Sequence, residues 1–96
     1  MFENDRYITR GIAEEVNVEM QIFLWSLIDG LSVTKDYLQI FEISNMDDGV
    51  VRVVHKQEIP HYKKVYFLDI QSTPSTYKVF VIDSGTYSTM MLASEY

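Results

Sequence analysis

Apolar residues between positions 18 and 31 recur at the spacing of a helix. At about 100° per residue, Met20, Leu24, Leu27, Ile28 and Leu31 fall on one wide stripe fit to face a sheet. Asn17 precedes the run with a side-chain oxygen that can accept from a free first-turn amide. Glu14, Glu15 and Glu19 suit the positive end of the helix dipole. The spacing therefore predicts a helix over Val18–Leu31, stopped around Gly30 by the glycine and the β-branched pair Val33 and Thr34. A second stripe, Val18, Ile22 and Trp25, lies on nearly the opposite side, leaving only Glu19, Gln21, Ser26 and Asp29 polar. Such a helix is too apolar to have one face freely solvated.

From Asp36 the pattern changes to strands. Tyr37–Ser44 and Val50–Gln57 flank a turn in which Asp48-Gly49 supplies the positive φ a hairpin needs, and Pro60 ends the second strand. Lys63–Ile70 and Thr76–Asp83 flank the turn Gln71–Ser75. Tyr87–Ala93 reads as a strand on Tyr87 and Thr89, with a short helix as the alternative; Tyr7–Ile12 is a short β candidate.

These strands do not alternate cleanly. Tyr37, Phe41 and Ile43 oppose Leu38 and Ile40, and Val79 and Val81 oppose Phe80 and Ile82. A half-solvated antiparallel sheet reads apolar on one side only. One helix of ~21 Å covers one face. The second face is then closed by strong curling, by the C-terminal segment, or by another chain. The predicted architecture is α+β: a single domain over residues 1–96, with one N-terminal helix packed on a mostly antiparallel, strongly twisted sheet of five to six strands.

Composition narrows the class. A 47% hydrophobic content with 13 aromatic residues (seven Tyr, five Phe, one Trp) indicates a packed core rather than disorder. The chain has no cysteine, so neither a disulfide nor a thiolate metal site supplements that core. No run approaches the roughly 18 apolar residues that span a bilayer, and Met1–Arg10 is too charged for a signal peptide. Cytoplasm is the expected location. The net charge of −6 is uneven: residues 1–48 hold ten acids and three bases, residues 49–96 four acids and five bases. An acidic first half disfavours indiscriminate nucleic-acid binding and admits DNA mimicry as a minor reading.

Candidate chemistry is sparse. His55, Glu58 and His61 have helical metal spacing, but they occupy a strand end where His55 and Glu58 point to opposite faces, so no metal site is expected. Ser84 and Ser88 lack a nucleophile elbow, and there is no P-loop, dinucleotide fingerprint or calcium loop. Neither catalytic residues nor a cofactor is expected. Glu42 and Asp69 are odd inside apolar strands; an outward or edge position explains both. The least ordinary feature is the basic, aromatic stretch Arg52, His55, Lys56, His61, Tyr62, Lys63, Lys64 and Tyr66. Phosphates and unstacked bases favour that mix, and so does a lysine-protected sheet edge. Val18, Ile22 and Trp25 are the candidate protein interface, or else core beneath the N-terminal segment.

Arg6-Tyr7-Ile8-Thr9-Arg10-Gly11-Ile12-Ala13-Glu14-Glu15, Glu19-Met20-Gln21-Ile22-Phe23-Leu24-Trp25, His55-Lys56-Gln57-Glu58-Ile59-Pro60 and Val81–Leu92 together resemble a family of small proteins of Gram-positive bacteria, a staphylococcal domain of unknown function. The resemblance runs the length of the chain and implies an association with mobile genetic elements, but no catalytic residues. The expected function is a non-enzymatic protein-interaction module with an unidentified protein partner. Nucleic-acid association through residues 52–66 is the alternative. A two-fold homodimer near Ile22, Trp25 and Val18 is expected from the covering problem.

Overall fold

The computed structural model describes residues 1–46, 49–69 and 76–96. In chain order the elements are β1 (Asp5–Ile8), α1 (Arg10–Glu15), α2 (Val18–Asp29), β2 (Leu38–Asn45), β3 (Val51–Gln57), β4 (Tyr62–Leu68), β5 (Tyr77–Asp83), β6 (Tyr87–Leu92) and a closing 3₁₀ turn, Ala93–Glu95. The strands form one sheet in the order β1-β6-β5-β2-β3-β4, antiparallel throughout except where β1 runs parallel to β6.

The predicted helix is α2. Asn17 caps it, its side-chain oxygen accepting from the Met20 amide at 2.8 Å, and Gly30 closes it. Met20, Leu24 and Ile28 are fully buried and pack in one core with Phe41, Ile43, Val53, Val79, Val81 and Met90. Leu27 is only half-buried at the edge of that core, and Leu31, half-buried as well, lies beyond the end of α2.

Two expectations are corrected. The helix is not N-terminal and not alone: β1 and α1 precede it, and the sheet is much the larger part of the molecule. Tyr7–Ile12 is not one strand, because Thr9 turns the chain into α1, its hydroxyl oxygen accepting from the Ile12 amide at 3.4 Å. Ile12 and Val16 are thereby delivered to the core. Gly11 allows a close approach: a Cβ there would stand 2.7 Å from the Glu95 carboxylate, which would have to move aside. That carboxylate accepts from the Thr9 hydroxyl (2.6 Å), the Gly11 amide (3.1 Å) and the Leu92 amide (2.8 Å), fastening the end of the chain to the start of α1.

The N-terminus is also fastened. Phe2 is buried in left-handed backbone (φ 67°), its amide donating to Asp83 Oδ2 at 2.7 Å. Asp83 Oδ1 takes the Gly85 amide (2.8 Å) and Asn4 Nδ2 (3.1 Å), so one carboxylate holds both the N-terminal segment and its own turn. Gly49 has the expected positive φ, 74°. The rest of that expected turn, Asp47 and Asp48, lies outside the described residues, as do Ile70 and the turn over residues 71–75.

Tyr87–Leu92 is a strand. It lengthens the sheet rather than covering its second face. Both helices send their buried side chains to the same side, among Phe41, Val53 and Val81. Among the described residues, no helix or strand is layered on the other face.

Candidate binding surface on the open sheet face

Strand pleating assigns the two faces. In β2 the buried residues are Gln39, Phe41 and Ile43, and the half-buried Leu38, Ile40, Glu42 and Ser44 point away from the helices. Register carries the assignment outward. Ile40 lies between Lys56 and Phe80, Glu42 between Val54 and Lys78, and Arg52 between Ser44 and Phe67. Lys56 opposes Lys63, Val54 opposes Val65, and Ile82 lies between Leu38 and Thr89.

The open face is thus organised in two halves. Over β2, β5 and β6, Leu38, Ile40, Phe80, Ile82 and Met91 make an apolar strip, with the Tyr96 ring edge-on to Phe80 at 5.7 Å. Over β3, β4 and the near end of β5, Arg52, Lys56, Lys63 and Lys78 surround Val54, Val65 and an exposed Phe67. One carboxylate, Glu42, stands among these four cations. Glu42 pairs with Lys56 at 2.9 Å and Lys78 at 3.8 Å, and the Lys56 hydrogen bond holds its carboxyl below the ordinary range. Neither Arg52 nor Lys63 has an ion pair among the described residues. A shallow hollow of about 400 Å³ lies beside Glu42, Ser44, Arg52 and Lys78, and another of about 390 Å³ beside Ile40, Lys56, Gln57, Glu58 and His61. An acidic protein therefore presents one locally cationic, partly apolar surface.

The basic stretch read in the sequence is divided by the pleat. Arg52, Lys56 and Lys63 reach the open face, where Lys78 joins them from a distant strand. Lys64, Tyr62 and Tyr66 lie on the helix side, with Lys64 Nζ 5.3 Å over the Tyr66 ring. His61 is exposed in the turn before β4. His55 is withdrawn from any contact with a partner: it is fully buried, stacked on Phe41 at 4.5 Å, with the Tyr62 ring edge-on. Glu42 sits outward as expected, and Asp69 is exposed just past β4.

His55 instead ends a buried amide chain. Gln57 Nε2 donates to the Thr34 and Pro60 carbonyls (2.8 and 2.9 Å), and its Oε1 accepts from Gln39 Nε2 (2.7 Å) and the Asp36 amide (3.0 Å). Gln39 Nε2 also reaches the Asp36 carbonyl, leaving Gln39 Oε1 to face His55 Nε2 at 2.6 Å. An oxygen there needs a donor, so His55 carries its proton on Nε2. Nδ1 is buried without a hydrogen-bond partner among the described residues, and burial pushes the imidazole pKa down to about 4. The chain pins the segment before β2 and the turn after β3 to the sheet. Among the described residues no group of three or more His, Asp or Glu side chains is placed to hold a metal ion.

On the helix side, Val18 and Ile22 stand 65% and 63% exposed, as a contact surface requires. Trp25 does not join them fully. It is half-buried against the core, and the Arg6 guanidinium lies 4.6 Å over its ring while pairing with Asp29. No helix among the described residues is long and apolar enough to cross a membrane.

Residues 5–95 match the model of a family, DUF960, described as a staphylococcal protein of unknown function. No curated protein matches the chain. Among solved structures, the fold is similar to that of a protein of unknown function from Enterococcus faecalis. The two share 23% identity and a TM-score of 0.86 over 98% of this chain and 92% of that one.

Proposed function

The chain belongs to this family of staphylococcal proteins of unknown function, and we propose that it is a non-enzymatic binding module whose working surface is the open sheet face. One observation carries the reading. A core is already complete between the helices and one side of the sheet, yet on the other side, where among the described residues no helix or strand is layered, Ile40, Phe80 and Ile82 are half-buried and Val65 and Phe67 are exposed. Apolar side chains grouped in that way mark an interaction site more often than chance exposure. Four cations to one carboxylate set the partner's chemistry: a cytoplasmic protein presenting apolar side chains beside acidic ones. A protein made by a mobile genetic element, or the host protein such an element targets, suits the association that the family resemblance implies.

Capture from an extract of a Gram-positive bacterium tests this. An Ile40→Glu/Phe80→Glu bait is expected to lose the protein that the wild-type bait retains, and equal retention by both overturns the reading.

Single-stranded nucleic acid is the second reading. The pairing of exposed Phe67 with the ion-pair-free Arg52 favours it, with Lys63 nearby. A base stacks on an exposed ring while cations meet the backbone. Single-stranded DNA and RNA oligomers titrated over a salt series decide it. Affinity that falls steeply with salt and vanishes in Arg52→Glu/Lys63→Glu supports this reading, and absence of binding at low salt refutes it.

A further inference from the structure

Strand β4 ends the sheet, and nothing among the described residues pairs with its outer side. All seven of its residues match β3 one to one, from Val51↔Leu68 to Gln57↔Tyr62, so no bulge bends the edge away, and no proline interrupts it. A long, regular edge of that kind is a template for another strand.

We propose that the partner of this edge is a second copy of the chain, its β4 antiparallel to the first about a two-fold axis at Val65. Symmetry restricts the choices. Residues opposed in an antiparallel pair share a face, so the axis must pass through a residue rather than between two. Val65 is the midpoint of β4, and centring there pairs all seven residues of each copy. Val65 then meets Val65, Lys64 meets Tyr66, Lys63 meets Phe67, and Tyr62 meets Leu68. Every lysine opposes an aromatic ring, and no like charges face each other. Within one chain, Lys64 already lies over Tyr66, the same cation–ring contact. Centring on Lys64 sets that lysine against itself and shortens the ladder. Centring on Tyr66 leaves Tyr62 and Lys63 outside the paired strands.

The lysines thus repel other registers while fitting this one. Pairing also covers Phe67, 62% exposed, and joins two open faces into one surface of twice the width.

The absence of cysteine makes the test direct. Directly opposed residues in an antiparallel pair have Cα atoms within disulfide range. Under copper phenanthroline and air, Val65→Cys is expected to crosslink to a dimer on a non-reducing gel. Lys63→Cys and Phe67→Cys are expected to crosslink when mixed and not alone, which decides the matter if Val65→Cys fails to fold. Wild-type protein is expected to sediment at twice 11.2 kDa and to revert to 11.2 kDa on dilution. A mass fixed at 11.2 kDa at every concentration overturns the proposal. So does a dimer in which these cysteines link no faster than the loop control Ile59→Cys, or in which Tyr66→Cys links instead.

Discussion

Mild acid, down to about pH 5, is expected to weaken the fold chiefly through His55. Its folded-state pKa is pushed down to about 4, against 6.5 for the ordinary side chain, because the ring is buried between Phe41 and Tyr62. Between these values the unfolded chain binds a proton that the folded chain refuses. Stability is therefore complete above about pH 6.5 and declines as pH falls toward about 4. The whole interval corresponds to ~3 kcal/mol, and at about pH 5 some ~2 kcal/mol of it is already lost. For a domain of this size that lowers the melting midpoint by roughly 10 °C.

The upper part of that window is clean for the carboxylates. Asp29, Glu42, Asp83 and Glu95 all have lowered values, and their unfolded references, 3.8 and 4.5, lie below about pH 5, so their own losses come mainly at lower pH. Thermal unfolding followed by circular dichroism at about pH 7.5 and about pH 5 measures the loss. His55→Gln keeps a donor for Gln39 and cannot titrate, so its midpoint should barely move between the two. Equal wild-type midpoints, or the same decline in His55→Gln, would refute the reasoning.

Other outcomes follow from packing and hydrogen bonding. Leu24→Ala removes a fully buried side chain from the centre of the core and is expected to cost about 2–5 kcal/mol in chemical denaturation. An unchanged midpoint would take α2 off the sheet. Asp83→Ala strands the Phe2 amide and frees the N-terminal segment; a loss of about 1–3 kcal/mol is expected, with faster hydrogen exchange at Phe2. Ile22→Glu, on the exposed side of α2, should alter stability by no more than about 0.5 kcal/mol. A large loss there would make the second helical stripe core.

The elements that were legible in the sequence had local causes. Asn17 and Gly30 bracket α2 because capping depends on neighbours in the chain, and Gly49 shows its turn because positive φ favours glycine. The short α1 is hard to read because it buries a single residue, Ile12, which shows no helical period, and only Thr9 marks its start. Burial of Phe2 was invisible, since its reason is Asp83 at the far end of the sequence. The basic stretch looked like one patch because its residues are near in sequence. Period-two pleating sends Arg52 and Lys56 one way and His55 the other, and only the β3–β4 register shows that Lys63 belongs with the first pair. Lys78 arrives through the β2–β5 pairing, which no local pattern announces.

The claim that the open sheet face is the working surface is tested most directly by comparing two baits in one capture experiment. Ile40→Glu/Phe80→Glu alters the open face, and Val18→Glu/Ile22→Glu alters the exposed side of α2. Each bait is first shown to be folded by circular dichroism, and the retained proteins are quantified by mass spectrometry. The expected result is that a protein held by the wild-type bait disappears with the open-face variant and persists with the helix variant. Loss with the helix variant and retention with the open-face variant would contradict the account and move the interface to Val18 and Ile22.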